Sequence, residues 1–209
     1  MTYSISFGFK SGGENMSEND AKERLIDVAI KMICQGKKPS EITVKDITET
    51  AELGNGMVNY HFQSKDNLIR LAVKKVMSCV TKKLSDKIKI KENEPPISRL
   101  TIILKEVVNF IADNSEISKI AILDDLENNQ GTAHLLSSEE IYNKCLKDLY
   151  GDNMQKLLIK NYLIAGYINY IFLKAEKIKN ETGFDFYNKE DREKAIETLV
   201  EELVDCKRL

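Results

Sequence analysis

The chain has 209 residues, 42% hydrophobic and 31% charged, with 31 Lys+Arg against 33 Asp+Glu for a net charge of -2. That length and balance describe a folded protein of one to two domains and exclude a disordered tail, a collagen-like chain and a disulfide mini-protein. Only 10 Gly and 3 Pro favour long helices over an all-β barrel or sandwich, which needs many turns, and the total charge points to neither a nucleic acid nor a membrane.

At the start, Tyr3, Ile5, Phe7 and Phe9 alternate with small or polar residues, a strand-like pattern. Ser11, Gly12 and Gly13 then read as a joint. Residues 1–10 hold no basic n-region or apolar h-region, so no signal peptide is expected; residues 1–15 are either a leader or a native arm, with Met16 as an alternative start. Ser17 to Asp20 resemble a capping box opening a helix with Ala21, Leu25, Val28, Ala29, Met32 and Ile33 on one face, stopped by Gly36. Thr43 caps a short helix running to about Ala51, a turn follows at Glu52 to Gly54, and a second short helix covers about residues 55–61. Ser64 caps a long helix whose stripe is Ile69, Val73, Val76, Val80, Leu84 and Ile88, ended by Glu94, Pro95 and Pro96.

Beyond that point every segment reads as helix: 97–112, 115–127, 138–150, 152–179 and 189–207, with a polar loop through Gly131 and breaks at Gly151 and Gly183. The run 157–173 is interrupted by Lys160, Asn161 and Asn169, too short and too polar for a membrane span. The predicted fold class is therefore all-α, with no membrane partner.

Cys34, Cys79, Cys145 and Cys206 show no CxxC spacing, and only His61 and His134 could join them as metal ligands. This predicts no metal, no disulfide framework and a reducing cytoplasmic setting. Cys34 and Cys79 fall in apolar helical stripes, which predicts small buried side chains rather than redox sensors.

The total charge hides an asymmetry. Residues 21–91 carry 15 Lys+Arg against 8 Asp+Glu (+7), and residues 92–209 carry 15 against 22 (-7). A basic N-terminal segment on an acidic body suits nucleic-acid binding, although lysine-rich helix faces can also be merely solvated.

Residues 43–62 decide between these readings. Two short helices joined by a tight turn, with Val44, Ile47, Ala51, Leu53, Val58 and Phe62 at packing positions, describe a helix-turn-helix. Its second helix is short enough to lie in a major groove with its N-terminal residues at base edges.

Over about residues 22–71 the sequence resembles the TetR family of transcriptional regulators. Thr43, Val44, Ile47 and Ala51 match the first helix of the family motif, and Tyr60, His61, Phe62, Ser64, Lys65, Asp66 and Leu68 match the end of the second. Ala29, Met32, Ile33 and Gly36 fit the helix upstream. The chain departs from the pattern at Glu52, where the family usually has Gly, at Gly54, where it has an N-cap Ser or Thr, and at Asn59, where Tyr is common.

The resemblance implies an N-terminal three-helix DNA-binding domain, residues 17–91 with the connecting helix, after an arm or leader at 1–16. It also implies a helical ligand-binding and dimerisation domain at 92–209. By the same resemblance, Thr43, Tyr60, His61 and Lys65 are expected near phosphates and Asn55, Met57 and Asn59 near bases, with Lys45 and Gly56 also among the DNA-binding residues. Asn can pair bidentately with adenine and an apolar side chain can meet a thymine methyl, so an operator with A·T pairs at those positions is expected. Val58 and Phe62 read as core, Met57 as either packing or base contact, and His61 as either a phosphate contact or a ring packed under the next helix.

In the C-terminal part, Asp124, His134, Tyr142, Tyr162, Tyr167 and Tyr170, with Tyr150 and Phe172, are candidate ligand-pocket residues, although aromatics at helical spacing also serve as plain core. Few convergent charges favour an apolar or amphipathic effector. The segment at 152–179 is too apolar to expose, which predicts a homodimer through the helices at about 152–179 and 189–207.

The expected function is a homodimeric repressor released from a palindromic DNA operator by a small-molecule ligand. The alternative is a ligand-independent DNA-binding protein of the same fold that acts by architecture or partner recruitment. No Ser/His/Asp, Cys/His or metal cluster supports an enzyme, and no cofactor is expected.

Overall fold

A computed structural model describes residues 17–89, 93–127 and 139–205, and among these residues every regular element is an α-helix. The arm or leader at 1–16, the polar loop around Gly131, His134 and Cys206 lie outside them. In chain order the helices are α1 (Glu18–Cys34), α2 (Val44–Ala51), α3 (Gly56–Phe62), α4 (Lys65–Lys89), α5 (Pro96–Asp113), α6 (Ser115–Glu127), α7 (Glu139–Tyr150), α8 (Met154–Leu173), α9 (Ala175–Thr182) and α10 (Lys189–Asp205).

The starts follow from local chemistry. Ser17 and Asp20 form a reciprocal capping box on α1, and Thr43 and Asp46 do the same on α2. The Ser64 hydroxyl accepts from the Asn67 amide at 3.1 Å, capping α4 as expected. Gly183, with φ of 79°, closes α9 in the left-handed conformation that glycine adopts without strain.

By packing, the chain divides into two compact units, Met1–Val76 with Glu116–Thr132 and Met77–Ser115 with Ala133–Leu209. This differs from the boundary read in sequence order near residues 91–92. The division falls inside α4, and α6 groups with the first unit, where the Asp124 carboxylate meets Arg70 at 3.3 Å.

In the first unit α1, α2 and α3 pack on one another. Leu25, Val28, Ala29, Ile33, Ile42, Ile47, Ala51, Val58, Phe62, Leu68 and Ala72 are buried at its centre. Lys75 ties α4 to α1 through Glu23 at 2.7 Å and Asp27 at 2.8 Å. Burial works against the Lys75 charge, but the hydrogen bonds to Asp27 and Glu23 together outweigh it and hold the ammonium above its ordinary pKa.

In the second unit α5 is central, packed against α7, α8 and α10. Leu100, Ile103, Leu104, Val107, Val108 and Ile111 of α5 are buried, with Ile196, Val200 and Leu203 from α10.

Two expectations need correction. The segment 152–179 is not one helix, because the chain turns at Lys174 between α8 and α9. No glycine or proline marks the turn; Phe172 and Ala175 on either side of it are both buried, and Phe172 packs on Phe186 at 5.5 Å between centroids. Cys34 and Cys79 are exposed rather than buried, while Cys145 is buried. Cys34 is the last residue of α1, where a stripe ceases to face the core.

Candidate nucleic-acid interface

The site is built on α2 and α3. Ile47 and Ala51 of α2 and Val58 and Phe62 of α3 are buried, which fixes the outward face of each helix. Between them Glu52 adopts φ of 55° and ψ of 43°, the left-handed conformation that makes the turn. A non-glycine residue there costs about 1 kcal/mol. The Glu52 carboxylate accepts from the Arg24 guanidinium of α1 at 2.6 Å, which ties the turn down.

Asn55, Gly56, Asn59 and Tyr60 are exposed along α3 and its entry, and Met57 is half-buried. These residues share one solvent-facing edge of a seven-residue helix. At Gly56 an added Cβ would meet nothing within 4 Å, so that edge is open. The α3 sequence GMVNYHF holds no Lys or Arg, so basic charge must come from its surroundings. Lys45 is exposed on α2, in a loose i,i+4 pair with Glu49 at 3.6 Å, and Lys37 and Lys38 are exposed in the loop before it.

Several expected DNA contacts already have partners. The Tyr60 hydroxyl donates to Glu18 of α1 at 2.8 Å, and that bond to a carboxylate raises the tyrosine pKa. The half-buried Lys65 ammonium donates to the carbonyls of Pro39 at 3.0 Å and Ile42 at 2.9 Å, so it braces the loop leading into α2. The Thr43 backbone N–H is taken by the Asp46 carboxylate at 3.0 Å. The Thr43 hydroxyl accepts from the Asp46 amide at 3.1 Å, which leaves its own hydrogen to donate. His61 is half-buried, edge-on to Tyr60 at 4.9 Å, with Nε2 buried and without a hydrogen-bond partner. Asn55 is engaged by Thr48, a fully buried residue that sequence reading did not single out. The only signal for that pair is its seven-residue spacing across the turn.

The described pocket candidates fall in both units. Asp124 pairs with Arg70 in the first unit. In the second unit, Tyr162 and Tyr170 of α8 are 67% and 57% exposed, whereas Tyr167 is half-buried and burial raises its pKa. Tyr150 donates to the Leu203 carbonyl and lies under the Lys160 ammonium, 5.0 Å from the ring centroid. Phe172 is core. His134 and the side chain of Tyr142 lie outside the described residues. Among those residues, no group of three or more His, Cys, Asp or Glu side chains is placed to hold a metal ion.

No family model and no curated protein sequence matches the chain. Solved structures do match it. A TetR-family transcriptional regulator from Mesorhizobium loti superposes with a TM-score of 0.60 at 16% identity, covering 92% of this chain and 98% of its own. A TetR-like transcriptional regulator from Rhodococcus sp. RHA1 gives 0.57 at 12% identity, covering 89% and 96%. The transcriptional regulator FadR from Bacillus subtilis, solved in complex with stearoyl-CoA, gives 0.52 at 17% identity, covering 87% and 97%. The chain has the TetR fold. Within that fold the helix-turn-helix read from residues 43–62 is α2, the turn at Glu52 and α3.

Proposed function

We propose that the protein is a DNA-binding transcriptional regulator that acts as a homodimeric repressor and leaves a palindromic operator when a small ligand binds. The observation that carries this reading is α3, buried on Val58 and Phe62 and open along Asn55, Gly56 and Asn59, beside a turn held by Glu52 and Arg24. An exposed short helix of this kind fits a major groove, and Asn59 suits adenine through its paired donor and acceptor. Thr43, Lys45, Tyr60 and His61 are assigned to phosphates, with Tyr60 exchanging Glu18 for a phosphate on binding, while Lys65 holds the loop before α2 through the Pro39 and Ile42 carbonyls. Gly56 and Met57 lie against the bases, Met57 through its exposed part.

Dimerisation is supported by α8, which exposes Met154, Leu158, Ile159, Tyr162 and Leu163. A cluster of this kind is costly in water, at about 1.5–3 kcal/mol for each large side chain covered. α10 buries its apolar side, and its exposed positions are polar or charged, which suits the rim of the same interface. A two-fold dimer sets two copies of α3 about one DNA turn apart.

Ligand release is supported by the fold shared with FadR in its stearoyl-CoA complex and by an aromatic, weakly charged α8. The expected effector is apolar or amphipathic. The ligand would favour a dimer arrangement in which the two copies of α3 no longer match the groove spacing.

In vitro selection from a random duplex library, repeated with cell metabolite extract, tests both halves of the reading. A two-fold symmetric site lost on adding extract is expected. Enrichment that no extract affects would favour the ligand-independent alternative.

A further inference from the structure

We infer that Thr48 sets which base Asn55 can read, by occupying the carbonyl oxygen of the Asn55 amide. The inference rests on the DNA-binding reading above and deepens it at one position.

Thr48 lies in the middle of α2 and is fully buried, while Asn55 is exposed at the entry to α3. The Thr48 hydroxyl lies 2.6 Å from Asn55 Oδ1. It also lies 2.9 Å from the Val44 carbonyl and 3.2 Å from the Lys45 carbonyl. A hydroxyl has one hydrogen to give. The shortest of the three contacts has the length of an O–H···O bond and is short for an N–H···O bond. This places the hydrogen on Oδ1 and leaves the amide nitrogen as the outward end. Asn55 Oδ1 then faces the protein, and Nδ2 offers two N–H donors to the groove.

That orientation changes the base code. An Asn side chain reads adenine by pairing its carbonyl with N6–H and its N–H with N7. With the carbonyl turned inward, the adenine pattern is lost. A donor-only group matches both acceptors of guanine, N7 and O6, or the O4 of thymine; on adenine it keeps N7 alone and meets the N6 amino group donor to donor, as it meets the N4 amino group of cytosine. Asn55 therefore selects guanine or thymine, while the exposed Asn59 remains the adenine reader. Thr48 touches no base in this account; it is a positioning residue.

Duplex selection with four full-length proteins tests this. The position that loses its preference in Asn55→Ala is the one Asn55 reads. Wild type is expected to carry guanine or thymine there, and Thr48→Ser, which keeps a hydroxyl, the same. Thr48→Val removes the hydroxyl at nearly constant volume and frees Oδ1, so preference should move toward adenine by about tenfold, within the range of one bidentate contact. Adenine at that position in wild type, or the same preference in wild type and Thr48→Val, overturns the inference. Should Thr48→Val not fold, Thr48→Ala carries the same expectation, and the wild-type selection is decisive without either. If wild type retains no duplex at all, the DNA-binding reading falls and this inference with it. Retention with an unchanged base preference overturns this inference alone.

Discussion

At the scale of single residues, the same side chain can be read as a DNA contact or as a brace, and geometry separates the two. Lys65 matches a motif position implied to meet phosphate, yet its ammonium sits on the Pro39 and Ile42 carbonyls. Lys65→Ala should therefore lower stability by about 1.5–3 kcal/mol, the range for hydrogen bonds to a charged group. Urea unfolding measures this directly. A lysine that served phosphate alone would leave the midpoint unchanged, and that result would contradict the brace. Backbone strain gives a second expectation. Gln63 is exposed at the end of α3 with φ of 66°, the other non-glycine residue besides Glu52 with positive φ among the described residues. Gln63→Gly should raise stability by about 0.5–1 kcal/mol, since glycine adopts that region without the Cβ clash. A fall in the unfolding midpoint would show that the Gln63 side chain makes a compensating contact. The same substitution at Glu52 would give up the Arg24 pair along with the strain.

At the scale of elements, the helices of the first unit were legible because their signals are local. Ser17 with Asp20, Thr43 with Asp46, and Ser64 are side chains whose chemistry marks a helix start, and the structure uses each of them. The stripe from Ile69 to Val80 marks the buried face of α4 in the same way. The turn at Lys174 was not legible, because beside it Phe172 packs against Phe186, fourteen residues further along the chain and in a separate segment. The exposure of Cys34 and Cys79 was missed for a related reason. A stripe gives the direction of the core but not how far along or around the helix the core extends. The engagement of Asn55, Tyr60 and Lys65 by Thr48, Glu18 and two carbonyls was likewise invisible, since each is a contact between separate segments.

The caps and loops also give a pH dependence. The Thr43 backbone amide and hydroxyl hold the Asp46 carboxyl below its usual range, the Lys179 ammonium does so for Asp185, and the Asn109 amide for Glu193. A carboxyl whose folded pKa is depressed stabilises the fold above its unfolded pKa and loses that contribution as pH falls through the folded value. Stability from these groups should be level from about pH 7 to 5 and decline below about pH 4. Urea midpoints across that range test the sign; a rise in stability on acidification would contradict it.

At the scale of the whole molecule, the near-zero charge is a cancellation, +7 over residues 21–91 against -7 over 92–209. The basic excess lies beside the helix-turn-helix, chiefly over residues 63–91, since residues 43–62 themselves hold one Lys against three Asp+Glu, and the acidic excess lies in the segment proposed to sense and dimerise. α8 is the proposed dimer seam because it leaves large apolar side chains uncovered. Leu163→Asp places a charge in that seam and should convert a dimer to a monomer in sedimentation velocity, with duplex affinity falling by tenfold or more as the second recognition helix is lost. A monomeric wild type, or an unaffected variant, would remove α8 from the interface. No helix among the described residues is long and apolar enough to cross a membrane.

The central claim, that α3 reads duplex DNA, is tested most directly by titrating the full-length protein against its best selected duplex at rising salt. The account predicts a two-fold symmetric site with half-sites about 10 base pairs apart, and affinity that falls steeply between about 50 and 200 mM salt as phosphate counterions compete. No enriched sequence together with salt-independent or absent binding would contradict it.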